Sequence, residues 1–403
     1  MRLTIERLGH LGDGIAAGPV YVPMALPGEV VEGAVEGGRM EAPAIVTPSP
    51  DRVKAPCPHY RACGGCALMH ASDGFVAGWK QDVVRTALAA QGIEAPFRPV
   101  ATSPARSRRR ATLAGRRTKK GAIVGFHGRA SGTIVEVPGC LLLHPDLVGA
   151  MQALTDITAL GASRKGEVAL ALTRGEGGLD LAVTGGKPLE QSLFSALSSL
   201  AARADLARLT WGGETVVARR AVAQRFGKAR VTPPPGAFLQ ATAEGEAALV
   251  AAVREAVGPA HRIADLFAGA GTFSLPLSEA AEVRAVEGDA AMLAALDAGW
   301  RQAAGLHRIT IEARDLFRRP LMPDELRRHD AVVIDPPRAG AEAQIHAIAA
   351  SPLRLVAAVS CNPVTFARDA RILAGVGFAL DWVQVVDQFR WSPHVELAAR
   401  FSR

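Results

Sequence analysis

Cys361 and Glu396 are side chains whose types could carry out covalent chemistry together, because a thiolate is a strong nucleophile and a carboxylate accepts protons. Cys361 stands in Ser360-Cys361-Asn362-Pro363, directly after the apolar run 355–359, and Glu396 closes His394-Val395-Glu396. Taken singly, such a cysteine is as often a small core hydrophobe and such a glutamate is usually a surface residue. The neighbouring motifs change the balance. Asp335-Pro336-Pro337-Arg338 follows the apolar run 331–334, and Asp265-Leu266-Phe267-Ala268-Gly269-Ala270-Gly271-Thr272 ends another. Open α/β sheets bind their ligands at the carboxyl ends of strands, which is where these three motifs fall.

Gly269 and Gly271 would let the backbone approach a nucleotide cofactor, and Glu287, ending the next strand, could accept hydrogen bonds from both ribose hydroxyls. The third glycine of a dinucleotide fingerprint is missing, with Ser274 in its place. S-adenosyl-L-methionine has no pyrophosphate and needs no such close approach. The rigid Asp-Pro-Pro turn, of the kind typical of methyltransferases acting on bases, favours the methyl donor further. A thiolate then has a specific use. Uracil C5 is a poor nucleophile, but addition of Cys361 to C6 makes an enolate whose C5 can attack a sulfonium methyl, after which Glu396 would remove the C5 proton. An amino-directed base methyltransferase has no use for the cysteine, and a non-catalytic RNA-binding assembly factor needs neither residue.

The elements that must position these groups follow from the pattern of the chain. At 403 residues the chain is long enough for two or three domains, and three are expected. Residues 1–50 read as short strands between Gly and Pro turns, a small barrel, with three basic residues against six acidic ones. Residues 51–235 form a central α+β domain that ends at Val231-Thr232-Pro233-Pro234-Pro235-Gly236. Residues 236–403 alternate apolar strands with Ala-rich amphipathic stretches, the pattern of a Rossmann-like parallel α/β sheet. The beginning of the chain lacks the charge and apolar pattern of an export signal, and no apolar run reaches the ~20 residues of a membrane span. A cytoplasmic monomer is expected.

The net charge of +7 points to a polyanionic partner, nucleic acid first among them. The excess is concentrated in Arg106, Arg108, Arg109, Arg110, Arg116, Arg117, Lys119 and Lys120, eight of fifteen consecutive residues and a candidate phosphate-binding block. The bland reading of such a block is a solvated face. Cys57, Cys63, Cys66 and Cys140 give a C-x5-C-x2-C spacing and a distant fourth thiol. Four thiolates with one close pair suit an iron-sulfur cluster of the 4Fe-4S type better than zinc, whose structural sites usually combine two C-x2-C units. Methyl transfer is redox-neutral, so the cluster would be structural.

In combination these motifs resemble the bacterial RNA 5-methyluridine methyltransferases, specifically the iron-sulfur branch that modifies 23S ribosomal RNA. The resemblance covers nearly the whole length and rests on the four cysteines with Cys63-Gly64-Gly65-Cys66, on Asp265–Gly271, on the Asp-Pro-Pro-Arg turn, on Ser360–Pro363 and on His394–Glu396. It implies that residues 1–50 form a TRAM domain, an oligonucleotide-binding-type barrel, and that residues 69–101 pack on the catalytic domain. It also implies donor contacts from Gln240, Phe267, Thr272, Glu287, Asp315 and Asp335, with Cys361 as nucleophile and Glu396 as proton acceptor. The family's usual pattern has Asn where this chain has Thr242 and Thr272, and Cys where it has Ala268; threonine offers a shorter reach at Thr272. The enzyme alternative is the cluster-free relative that acts on the transfer-RNA T-loop, against which the four cysteines argue.

Overall fold

Glycine and proline interrupt the first fifty residues every few positions, and the strands left between them are short. In the computed structural model, which describes residues 1–403, Arg2–Leu8, Gly14–Ala16, Val20–Val22, Val30–Glu32 and Ala44–Thr47 form one antiparallel sheet with Arg2–Leu8 at its centre. The edge strands Val20–Val22 and Ala44–Thr47 do not pair with each other, so strand pairing alone does not close the expected barrel. Its core is small, built on Ile5, Val22, Val31 and Met40. Glu29 fastens this sheet to the following segment. Burial pushes its carboxyl up, but hydrogen bonds from Arg52, Leu26 N and Ser49 N outweigh that and hold it below the usual range.

The central unit is a seven-stranded sheet whose middle strands are Arg110–Arg117 and Glu167–Gly175, paired antiparallel from Arg110↔Thr173 to Arg116↔Glu167. The helices Met151–Gly161 and Gln191–Arg203 contribute Leu154, Ile157, Leu197 and Leu200 to its core. Trp211 fills the space beside Gly161, where any side chain would overlap the indole, and its Nε1 donates to the Lys187 carbonyl at 2.8 Å.

The last unit is an eight-stranded sheet. Five parallel strands lie in the order Ile309–Ala313, Glu282–Glu287, Arg262–Leu266, Ala331–Ile334 and Leu355–Ser360, followed by antiparallel Leu397–Ser402 and then Ala379–Asp387. Ala331–Ile334 is buried at every residue because helices cover both faces, which removes any polar alternation from its sequence. The eighth strand comes from far earlier in the chain. Ala101–Thr102 runs parallel to Ala379–Asp387, and the preceding helix Asp73–Ala89 places Val84 and Leu88 in the same core as Phe366, Leu373 and Val385.

One buried ion pair joins the central and last units, and a second fastens the Asp73–Ala89 helix to the last sheet. Arg109 meets Glu246 at 2.5 Å and donates its Nε to the Gln240 carbonyl at 3.1 Å. Lys80, fully buried on the Asp73–Ala89 helix, meets Asp387 at 2.5 Å and also donates to the Phe389 carbonyl at 3.1 Å. A buried charge that loses its partner is far more costly than an exposed one. Lys80→Ala should therefore lower unfolding stability by about 3–5 kcal/mol in urea titrations. A loss below about 1 kcal/mol would show that water reaches the pair.

Candidate active site at the carboxyl edge of the sheet

The strand Arg262–Leu266 hands over to the glycine turn at Phe267, whose φ of +63° lies in the left-handed region. A non-glycine residue there stores strain of about 1–3 kcal/mol, a cost usually met at ligand sites. Gly271 must be glycine. Its φ is +96°, and a Cβ would sit 2.9 Å from Leu275 and Leu296. Below the turn, Asp265 is fully buried and accepts a hydrogen bond from Ser274 Oγ at 2.5 Å while its other oxygen has no partner. Burial pushes this carboxyl up to about 7 against the Ser274 hydrogen bonds.

Glu287, one strand over, uses one oxygen to accept from Gly269 N at 3.0 Å and the other from Asp289 N at 2.9 Å. It thus shapes the turn it was expected to serve. Asp315 at the next strand's end accepts from Phe317 N at 3.0 Å, and the half-exposed Phe317 ring stands 5.4 Å from Phe267. Glu287, Asp315, Phe267 and Gly269 are therefore brought together by the ends of adjacent strands. Thr272 follows directly on the same turn. It lines a cleft of about 1050 Å³ between the central and last units, together with Arg106, Arg109 and Glu246.

On the other side, Ile334 pairs with Ala358, so Asp335 leaves its strand beside Val359–Ser360. Ser360 pairs with Leu397 in the antiparallel register, which sets Cys361, one residue on, across from Glu396, one residue back. Asn362 accepts from Val364 N at 3.0 Å to cap the helix Pro363–Ala374 and donates to the Arg338 carbonyl at 2.9 Å. Arg338 Nη2 and His394 Nδ1 are 2.8 Å apart. The Asp-Pro-Pro turn, the cysteine turn and the last loop are thereby tied into one rim.

The acids in this rim act on one another. Burial pushes half-buried Asp335 up to about 7, and neighbouring Asp265 adds to the shift. Glu396, only 4% exposed, is pushed up to about 8 by burial and by Asp335, against the Gln388 hydrogen bond and the Arg338 charge. The Cys361 thiol is pushed up to about 11 by burial, then by Glu396 and Asp335, with Arg338 opposing. A cluster of carboxylates with one guanidinium beside it favours a bound cation, and a sulfonium is one.

Gln240 and Gln388 complete the floor. Gln240 is buried, and its Oε1 accepts from Gln388 Nε2 at 2.5 Å. Gln388 was not singled out by motif or spacing, and neither was the Lys80–Asp387 pair beneath it. A glutamine following the apolar strand Ala379–Asp387 was the available signal, since a buried amide must find partners.

The basic block needs correction. Arg109 is buried against Glu246 and Arg110 donates to the Leu239 carbonyl at 2.6 Å with its guanidinium 4.6 Å from the Phe238 ring, so both join units together and neither is a free phosphate ligand. Arg108 donates to the Arg110 carbonyl at 3.1 Å, and Arg116 pairs with Glu167 at 3.0 Å. Exposed Arg106, Lys119 and Lys120, with half-exposed Arg117, remain open to a polyanion.

Cys57, Cys66 and Cys140 pack against one apolar cluster with Tyr60, Met69, Leu142 and Trp391, and Cys63 is buried nearby. No three His, Cys, Asp or Glu side chains converge tightly enough to share one metal ion. Cys63 and Cys66 still feel the neighbouring thiols. Burial pushes Cys66 up to about 12, with Cys140, Cys63 and Cys57 all adding to the shift, and Gly65 N donates to Cys63 Sγ at 3.4 Å. This unit also holds the loop before Glu396, because Ala67 N and Leu68 N both donate to the Trp391 carbonyl, at 2.7 and 2.9 Å.

No protein-family profile matches the sequence. An uncharacterised RNA methyltransferase of Brucella suis is 45% identical over 401 residues, 99% of this chain and 97% of the relative. The 23S rRNA (uracil(1939)-C(5))-methyltransferase of Halomonas elongata is 32% identical over 98% of this chain and 88% of its own length. The chain belongs to this RNA methyltransferase family. Among solved structures, the tRNA (uracil-54, C5)-methyltransferase of Pyrococcus abyssi in complex with S-adenosyl-L-homocysteine superposes with a TM-score of 0.77 at 23% identity, covering 100% of this chain and 99% of that one. The methyltransferase fold is shared from end to end.

Glu287 gives the first test of the donor side. Glu287→Ala should weaken S-adenosyl-L-methionine binding about 10- to 100-fold in calorimetry, the effect of losing a charge-assisted hydrogen bond. An unchanged Kd would leave Glu287 as a brace for Gly269 only.

Proposed function

We propose that this protein methylates C5 of a uridine in RNA, with 23S ribosomal RNA as its substrate and S-adenosyl-L-methionine as the donor. The observation that carries this reading is the register Ser360↔Leu397, which sets a thiol and a buried carboxyl across from one another at the ligand edge of the sheet. The target base is flipped out of its stack to reach them. Cys361 adds to C6, C5 attacks the donor methyl, and Glu396 then takes the C5 proton as the C6–S bond breaks. The Cys361 thiol, held near 11, must lose its proton on entering the reaction. A cationic donor beside Asp335 and Glu396 offsets the carboxylate charge that opposes this loss.

Ribosomal RNA is favoured over transfer RNA because the Halomonas relative is the nearer of the two in sequence and spans nearly the whole chain. Arg106, Arg117, Lys119 and Lys120, with the N-terminal sheet as a TRAM-like module, would meet the RNA. For a resident group, Cys57, Cys63, Cys66 and Cys140 fit a 4Fe-4S cluster. Cys57, Cys66 and Cys140 border one apolar cluster with Cys63 buried nearby, and Cys63 already receives a backbone N–H bond of the type that cluster sulfurs accept. Bound there, the cluster would supply a structural cross-link between the start of the central unit and Cys140.

Two measurements test this reading. RNA carrying tritium at uridine C5 should release it to water when incubated with protein and donor, from 23S fragments and not from a T-loop, and Cys361→Ala should release none while still binding donor. Release from the T-loop alone would move the substrate to transfer RNA; release by Cys361→Ala would end the covalent route. Protein purified without oxygen should be brown with about four irons per chain. Stoichiometric zinc without iron or sulfide would replace the cluster.

A further inference from the structure

We propose that Gln388 is a positioning residue that holds the Glu396 carboxylate in its base-competent form and ties it to Gln240 on the donor side. The inference rests on Glu396 acting as the base. Gln388 is 1% exposed, and its amide orientation is fixed because Oε1 accepts from Ala241 N at 2.7 Å. Its NH2 group must then be the donor on the other side. It donates to Gln240 Oε1 at 2.5 Å and to Glu396 Oε2 at 3.2 Å. One amide thus spends both protons on the floor of the pocket.

A donor aimed at a carboxylate stabilises the charged form and fixes one oxygen. Oε2 is taken by Gln388, so Oε1 is the oxygen left for the substrate proton. In the closing step that proton moves from C5 to Glu396, the C5–H electron pair forms the C5=C6 double bond, and the C6–S pair leaves with Cys361 as thiolate. The other charged or titratable groups facing Glu396 are Asp335 and Arg338 on the Asp-Pro-Pro-Arg turn and Cys361 on the turn after Leu355–Ser360. Asp335 opposes the charged form and Arg338 supports it. Because Glu396 already sits near 8, small changes in its partners alter its charge at working pH. Gln240 links the same amide to the segment that leads into the helix Ala243–Val257.

The test is Gln388→Met, which keeps length and bulk but removes the donor. Single-turnover release of 5-methyluridine is followed from about pH 6 to about pH 9.5, alongside donor affinity and thermal midpoint. The acidic limb should move up by about one pH unit, making release about tenfold slower at neutral pH. A methylated RNA–protein adduct should accumulate and resolve when the pH is raised, whereas the adduct of Glu396→Gln should persist at every pH. An unshifted limb without adduct overturns the role of Gln388. If Glu396→Gln itself turns over normally, the base assignment has failed instead. Should Gln388→Met not fold, Gln388→Asn carries the test, since its shorter arm draws the donor away from Glu396. A limb shifted in the same direction supports the proposal and an unshifted one refutes it.

Discussion

The antiparallel insertion of Leu397–Ser402 beside Leu355–Ser360 is the constraint on which the site depends. A parallel strand in that position would bring its carboxyl end, and not its entry, to the ligand edge. Because the last strand runs backwards, its entry loop arrives beside the Cys361 turn, and a single residue of slip would turn Glu396 to the other face. Both faces of this strand are covered, with Leu397, Ala399 and Phe401 in one core and Ala398 in the other, so burial fixes the register on both sides.

Much of the remaining structure holds the loop 388–396 against that register. Lys80 grips Asp387 and the Phe389 carbonyl from below, and the cysteine unit grips the Trp391 carbonyl from the side. Trp391 has a φ of +61°, and its ring is packed with Tyr60, Met69 and Leu142. This arrangement gives the cysteine-bearing unit a mechanical connection to the active-site rim that requires no redox chemistry. The helix Asp73–Ala89, from the first quarter of the chain, is built into the last unit both by this ion pair and by Val84 and Leu88 in its core.

The strand tips that carry Asp265, Glu287, Asp335 and Cys361 were legible in the sequence because each follows a short apolar run and precedes a turn. The family resemblance placed residues 69–101 on the last unit; Val84, Leu88 and Ile93 do pack there, while Ala71 and Val76 pack with Leu8 and Leu26 of the N-terminal unit, and the pairing of Ala101–Thr102 with Ala379–Asp387 leaves no local signature in the sequence. Arg109 misled for a physical reason. Its charge is visible in the sequence, but its partner Glu246 lies 137 residues away, and charge density along a strand does not disclose a buried interface. Gln388 was missed because a single amide has no periodicity, and only its three partners reveal it.

Trapping with RNA that carries 5-fluorouridine at the target position tests the central claim most directly, because fluorine leaves Glu396 no proton to remove. The account predicts a denaturation-resistant adduct whose mass is the sum of protein, RNA and one methyl group, with the RNA on the peptide containing Cys361. An adduct on any other residue, or methylated RNA released without one, would contradict it.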